Sequence, residues 1–389
     1  MKLSLLSLSL ALAPATLAAP LWSLEGLQSL VPNFANEERL IVTSEDSAPI
    51  KVTEDHKMKL RRSGVKFMDI TNHQSWFAAT SKEKVPVPVY NYPTNVSYPK
   101  EVSNLITDIK LENLHDNLAN FSSFYSRYYK SENGFKSATW LFTKLQEITS
   151  LTENNITVEK FKHEWQQFSI IVRIPGSKTP ENRVVVGAHQ DSTNLLFPTL
   201  MKAPGADDDG SGVTTNLEAL RILVESGFQP ENTVEFHFFS AEEGGLLGSL
   251  DIFTDYKSKG HKVVSVLQQD MTGYIQKTLD NDVKEHVGVI TDYVSAPFTD
   301  FIKLVIDSYL SIPYIETKCG YACSDHASAL QNGYPSSFVI ESDFQYTNPY
   351  IHSTSDTLDR LSFHHIAEFT KLVLGYTYEL GFHEFEEVK

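Results

Sequence analysis

Two cysteines in 389 residues are too few for a scaffold stapled by disulfides or for a structural zinc finger. Basic residues are also in deficit: 33 Lys and Arg stand against 49 Asp and Glu, a formal charge of −16. Such an acidic excess repels phosphate, so no nucleic-acid partner is expected. No run of 18 apolar residues occurs, and a membrane-spanning helix needs about that many. The motifs G-x-S-x-G, G-x-x-x-x-G-K-S/T and H-E-x-x-H are missing, as is a G-x-G-x-x-G after a strand. Their absence argues against a serine-elbow hydrolase, phosphate-loop or dinucleotide binding, and the helical two-histidine zinc proteases. There is no internal repeat and no low-complexity tract. What is present is an ordinary globular composition, with 41% apolar residues, enough to build a core.

The first 19 residues, MKLSLLSLSLALAPATLAA, carry one charge at Lys2, an apolar stretch over 3–12 and small residues up to Ala18 and Ala19. This is the layout of a secretory signal peptide, and the apolar stretch is too short to anchor the chain in a bilayer. The expected product is secreted and extracellular, without a membrane partner. Sequons at Asn95, Asn120 and Asn155 fit that route as glycosylation sites. Residues 20–87 read as a pro-segment. They mix charges (KVTEDHKMKLRRSG) and lead into the proline-rich VPVPVYNYP, whose composition favours extended chain. The alternative is a small N-terminal domain that stays attached. Residues 88–389 are then the catalytic domain.

From Lys100 onward short β-branched runs alternate with segments of helical spacing. Strands are expected at 168–174, 183–187, 234–240, 263–269, 287–290 and 337–340, and helices at 136–149, 212–226, 245–257, 296–310 and 363–380. The expected fold is therefore α/β: a single globular domain with a central, mainly parallel mixed β-sheet flanked by helices. In such sheets sites form beyond the carboxyl ends of the strands. Residues of the right chemistry follow the strands directly: His189 and Asp191, Glu242 and Glu243, Asp270, and, after the last strand, His352.

Taken one at a time, these are ordinary loop residues. Together, imidazole and carboxylate donors without thiolate suit a catalytic zinc rather than a structural one. Five candidate ligands (His189, Asp208, Glu243, Asp270 and His352) exceed what one catalytic zinc takes from protein. They suit two metals sharing a bridge, for which Asp208 in the acidic turn Asp207-Asp208-Asp209 is the natural choice. Adjacent carboxylates at Glu242 and Glu243 point different ways, so one can bind metal while the other serves as general base. Asp191, two residues after His189, is placed to take the imidazole's other N–H. Cys319 and Cys323, four apart in a secreted chain, read as a tight disulfide stiffening Gly320-Tyr321-Ala322; a metal or redox pair is the alternative.

In sequence order, GAHQDS (187–192), APGADDDGSG (203–212), SAEEGGLLGS (240–249), QQDMTGY (268–274), CGYACSDH (319–326) and ESDFQYTNPYIHSTSDT (341–357) resemble the secreted co-catalytic di-zinc leucine aminopeptidases, especially the fungal type made with a pro-segment. The likeness spans about residues 95–389. It implies two zinc ions per chain, with Asp208 bridging, His189 and Asp270 completing one site, and Glu243 and His352 the other. It implies Glu242 as general base, with a water activated at the zinc pair as nucleophile. It also implies a cis peptide between Asp208 and Asp209, a disulfide between Cys319 and Cys323, and an apolar pocket for the first side chain. Met271, Phe338, Ile340, Phe344 and Ile351 match or neighbour that pocket, and Tyr321 lies on the loop beside it. The implied substrates are peptides with a free, preferably apolar N-terminal residue, taken by a monomer. Gln190 stands at a position that varies in the family. Thr347 stands where a related bacterial enzyme has an aromatic residue. Three other readings share the fold: a deacylase or carboxypeptidase, a single-zinc glutaminyl cyclase, and a non-catalytic ectodomain. The short interval between Glu243 and His352 leaves no room for the lid domain usual in the first. The complete ligand set argues against the other two.

Overall fold

The computed structural model describes residues 36–81, 85–152 and 154–388. The expected signal peptide and the first part of the expected pro-segment lie outside the described residues. Two sheets form. The smaller is antiparallel, in the order β2-β1-β3, and uses β1 (Glu38–Val42), β2 (Ile50–Thr53) and β3 (Met68–Asp69). The larger has eight strands: β4 (Thr157–Phe161), β5 (Ser169–Ile174), β6 (Thr179–His189), β7 (Asn232–Phe239), β8 (Lys262–Gln269), β9 (Val287–Ile290), β10 (Tyr314–Thr317) and β11 (Ser336–Ile340). Its order is β10-β9-β11-β8-β6-β7-β5-β4. Pairs β10/β9, β11/β8, β8/β6 and β6/β7 are parallel, while β9/β11, β7/β5 and β5/β4 are antiparallel. The mixed, mainly parallel sheet expected from the sequence is therefore observed.

The apolar character of the strands follows from their place. β7 is buried along its whole length, and β6 and β8 are buried toward their carboxyl ends. Strands covered on both faces need continuous apolar runs rather than alternation. Helices Gly210–Glu225 and Phe363–Gly381 lie against this sheet and are buried on nearly every side. Leu217, Leu220, Phe369, Leu372 and Val373 join Val184, Val186, Val234 and Phe236 in the main core. Tyr376, fully buried, donates from its hydroxyl to the carbonyl of Val185 at 2.8 Å and so fixes the second helix to β6.

The small sheet carries helix Glu54–Arg62. Thr53 caps it by accepting the amide of His56, and Lys59, Arg61 and Arg62 lie in its last turn, where the helix dipole favours cations. A buried ion network inside this unit also donates hydrogen bonds to the body. Lys57 Nζ contacts Asp69 Oδ2 at 2.7 Å and Glu54 Oε2 at 3.2 Å, and donates to the Gly244 carbonyl at 2.8 Å. Asp69 N donates to the Gly245 carbonyl at 2.9 Å. The proline-rich stretch leads directly into the body. Tyr90 forms a bridge with Glu387, Asn91 N bonds Glu386 O, and Tyr92 Oη donates to Val264 O at 2.6 Å. No helix among the described residues is long and apolar enough to cross a membrane.

Candidate active site and metal centre

Parallel strands of one sheet end side by side, and here three of them deliver the site. His189 is the last residue of β6, Glu242 and Glu243 follow β7, and Asp270 follows β8. The backbone turns sharply at each exit. Ala241, Met271 and His352 all have φ between 56° and 65°, a left-handed conformation that costs a residue with a side chain on the order of 1–2 kcal/mol. That strain sits next to or on Glu242, Asp270 and His352. Gly205 also has φ +54°, and a Cβ there would meet Ser192 and the Asp208 carbonyl within 2.6 Å, so the acidic turn can close only with glycine.

The five expected ligands converge as two triads that share Asp208: His189, Asp208 and Asp270, and Asp208, Glu243 and His352. His189 Nε2 lies 3.0 Å from Asp208 Oδ1 and 3.4 Å from Asp270 Oδ1. His352 Nε2 lies 2.9 Å from Asp208 Oδ2 and 3.2 Å from Glu243 Oε2. Nε2 of His189, Oε1 of Glu243 and Oδ1 of Asp270 are buried without a hydrogen-bond partner among the described residues. Unpaired buried donor atoms of this kind, all imidazole or carboxylate, fit a divalent cation. The peptide between Asp208 and Asp209 is cis, as the resemblance implied.

The surrounding electrostatics follow from burial. Burial raises Glu242 to about 7 against the opposing pull of Arg61 and His189. Although its own burial opposes it, Asp208 is held far below the carboxylate range by His352 and His189. Burial also opposes the protonated form of His352, yet Glu243 and Asp208 raise it to about 10.

Several positioning contacts go beyond the roles read from the motifs, and one of the residues that make them, Arg127, lies outside every motif. Asp191 does more than the expected imidazole contact. Its carboxylate accepts the amides of Glu242 at 3.0 Å and Glu243 at 3.2 Å, while His189 Nδ1 is 3.2 Å from its carbonyl and 3.5 Å from its carboxylate. Asp356 accepts the amides of Asp207 and Asp208, both at 3.1 Å, and so holds the bridging turn. Asp209 caps helix Gly210–Glu225 and also takes the amides of His189 and Met271. Ser324 donates to Asp270 Oδ2 at 2.7 Å. Arg127 is fully buried. Its guanidinium donates to the carbonyls of Gln190, Pro204 and Gly205, joining the end of β6 to the bridging turn, and it lies over the ring of Phe121.

Beside the triads lies a cavity of about 260 Å³. Met271, Phe338, Ile340, Phe344 and Ile351 line it with Cys323, Ala322, Asp208, Asp270 and His352. Tyr321 is not among its lining residues. It packs instead against Val42, Met68, Ile70 and Phe77 of the N-terminal unit, and its hydroxyl accepts from Gln331. The reason is geometric: the loop turns at Gly320 and Ala322, both at positive φ, so neighbouring side chains diverge and Ala322 faces the cavity. Cys319 and Cys323 are joined as a disulfide with Cα atoms 6.1 Å apart. Asn95, Asn120 and Asn155 are all exposed.

The N-terminal unit closes this cavity. Arg61 NH2 lies 3.0 Å from Glu242 Oε2, NH1 pairs with the Glu243 carboxylate, and NH1 also donates to the Glu243 carbonyl at 2.7 Å. Lys66 reaches across to the Cys319 carbonyl at 2.8 Å and stands 4.4 Å above the Phe344 ring; burial lowers it to about 8. The run KMKLRRSGVK thus places two of its cations, Arg61 and Lys66, at the cavity.

Fold and site together define an α/β protein of hydrolase type in which carboxylate and imidazole groups that could hold divalent cations gather at the carboxyl ends of the strands. Residues 169–377 match the model of peptidase family M28. A probable aminopeptidase of Saccharomyces cerevisiae is 57% identical over 339 residues, covering 85% of this chain and 90% of that one. Leucine aminopeptidase 1 of Uncinocarpus reesii is 47% identical over 98% of this chain and 99% of its own. Among solved structures, the LapA aminopeptidase of Legionella pneumophila superposes with a TM-score of 0.78 at 26% identity, covering 89% and 98% of the two chains. A zinc aminopeptidase of Bacillus subtilis, at 15% identity and a TM-score of 0.57, shares the fold. The chain belongs to peptidase family M28.

Proposed function

We propose that this protein is a secreted zinc aminopeptidase that releases apolar, leucine-type residues from the free N-terminus of peptides. Family membership makes it a peptide hydrolase of aminopeptidase type. The observation that carries the finer reading is the pair of ligand triads sharing Asp208, with Glu242 adjacent and unused by either. His189, Asp208 and Asp270 would hold one zinc ion, and Asp208, Glu243 and His352 a second. Zinc bound there would supply Lewis acidity, toward the scissile carbonyl and toward the attacking water.

The chain's own residues do the rest. Glu242, raised toward neutrality by burial, accepts the proton of the attacking water and passes it to the leaving amine. Asp191 aims the Glu242–Glu243 turn through two amides. Asp356 and Arg127 hold the bridging turn at its register. Met271, Phe338, Ile340, Phe344 and Ile351 take the first side chain, and a free amino group is attracted by the carboxylates at the mouth of that cavity. Such a pocket grades apolar side chains rather than excluding them, at about 1–3 kcal/mol per missing methylene.

Residues 20–87 are proposed to be a pro-segment, removed after secretion. The seating of Arg61 on Glu242 and Glu243 supports this, since a substrate needs the same carboxylates. Hydrolysis of leucine p-nitroanilide beside its N-acetylated counterpart tests the enzyme reading. Only the free-amine compound is expected to be cleaved. Cleavage of the blocked compound, or of neither, overturns it.

A further inference from the structure

The loop that follows His189 and Asp191 presents an exposed apolar patch. Leu196, Phe197 and Leu200 are 58%, 56% and 51% exposed, and Tyr125 beside them is 50% exposed. Exposed side chains of this size normally scatter singly, and grouped ones mark contact surfaces. The patch is not a loose tip. Asn194 Oδ1 accepts the amides of Leu196 at 3.1 Å and Phe197 at 3.4 Å, and Asn194 Nδ2 donates to the Lys202 carbonyl. Leu200 and Met201 both donate to the Phe197 carbonyl, and Tyr125 Oη donates to the Leu200 carbonyl at 2.8 Å. The side chains are therefore held outward by a hydrogen-bonded backbone.

The patch is continuous with the active site. Leu195 N donates to the carbonyl of His352, a metal-ligand candidate, at 3.2 Å. Consecutive Cα atoms are about 3.8 Å apart, so Leu196 and Phe197 start within about 4 and 8 Å of that junction. An extended peptide advances about 3.3 Å per residue, so its next two residues span the same distance. The cavity for the first side chain is floored by Phe338 and Ile340 from the core and includes no residue of this loop. His352 itself lines that cavity, so the junction with Leu195 borders the space the first side chain fills.

We propose that Leu196, Phe197 and Leu200 bind apolar side chains at the second and third positions of the peptide substrate. The proposal rests on the aminopeptidase reading and adds a preference beyond the residue released. It is tested with protein expressed from its full-length chain and collected in its active form. Leucinamide, Leu-Gly-Gly and Leu-Phe-Leu are compared by kcat/KM in the unsubstituted protein and in the Phe197→Ser/Leu200→Ser double variant. Leu196→Ser serves as a second variant should the double one fold poorly. The unsubstituted protein is expected to favour Leu-Phe-Leu over Leu-Gly-Gly about tenfold. The variants are expected to bring that ratio near one while leucinamide, which has no second residue, is turned over as before. An unchanged ratio overturns the proposal. So does an equal fall on all three substrates, which would mean the loop acts only through His352. An unchanged ratio with an altered sedimentation coefficient overturns it in favour of a surface for another protein chain. Failure of the unsubstituted protein to cleave leucinamide at all is a failure of the enzyme reading instead.

Discussion

His326 shows how much a single buried side chain can set. It is fully buried, its ring lies 4.9 Å from that of Phe338, and neither ring nitrogen has a hydrogen-bond partner among the described residues. Burial, helped by the charge of Lys66, lowers it to about 3. The sign of the consequence is fixed. In the unfolded chain the imidazole takes a proton as pH falls through about 6.5, while in the folded chain it stays neutral until about 3. The unfolded state therefore gains protons first, and stability contributed by this residue is lost between those two values. Below about 3 both states are protonated and nothing more is lost. His326→Leu should leave stability at pH 8 within about 1 kcal/mol and flatten the decline toward pH 4. Urea titrations across that range check it, and an equal slope in both proteins would exclude His326 as the source. Residues of this kind are invisible to motif reading. Arg127, buried with three carbonyls around its guanidinium, had no spacing to mark it, and Asp356 stood in a quoted motif without a role. Tyr321 failed in the opposite way: the loop was identified, but which of its side chains faces the cavity depends on positive φ values that no spacing reports.

At the scale of elements, the buried strands and long helices were legible because burial on both faces writes continuous apolar runs. β5, β7, β8 and β9 and helices Glu132–Thr149 and Ala296–Tyr309 fall within a few residues of their expected ranges. The strands β4 (TVEKF) and β10 (YIET) were not legible. They form the sheet's edges, stay half exposed, and so carry the polar residues that edges need. Helices Pro99–Ile106 and Leu111–Ser122 are short and amphipathic, with polar residues between their few buried positions. The convergence of the candidate ligands was legible for another reason: His189, Glu243 and Asp270 stand at or just past the ends of parallel strands that the sheet aligns, and Asp208 just before a helix start, while His352, far beyond β11, was marked only by its motif. What sequence did not announce is the helix Glu54–Arg62 as a carrier of cations. Arg61 makes charge-assisted hydrogen bonds, worth about 1.5–3 kcal/mol each. The unprocessed chain should therefore turn over leucine p-nitroanilide at least tenfold more slowly than the processed one. Arg61→Ala in a chain that cannot be processed should recover part of that loss. Equal rates with and without the N-terminal unit would remove it from the cleft in solution.

For the whole molecule, the cluster of buried carboxylates has a cost. Asp207, Asp208, Asp209, Glu242, Glu243 and Asp270 converge where three strands end, and their mutual repulsion is tolerated at the cost of stability unless cations answer it. Chelation should lower the melting temperature, and returning zinc should restore it. Ligand at a hundredfold its dissociation constant adds about 2.7 kcal/mol per site. Calorimetry with and without chelator measures this, and a melting temperature indifferent to zinc would leave the two triads without their proposed occupants. The attachment of the N-terminal unit has a further consequence. Lys57 is fully buried, and its ammonium is shared by Asp69, Glu54 and the Gly244 carbonyl. Glu54 and Asp69 belong to the same unit as Lys57, so its charge partners go with it, and of this ammonium's contacts only the hydrogen bond to Gly244 joins the unit to the body. A cut in the connecting stretch leaves this hydrogen bond and the seat of Arg61 on Glu242 and Glu243 untouched, so severing the chain and emptying the cleft are two events, not one.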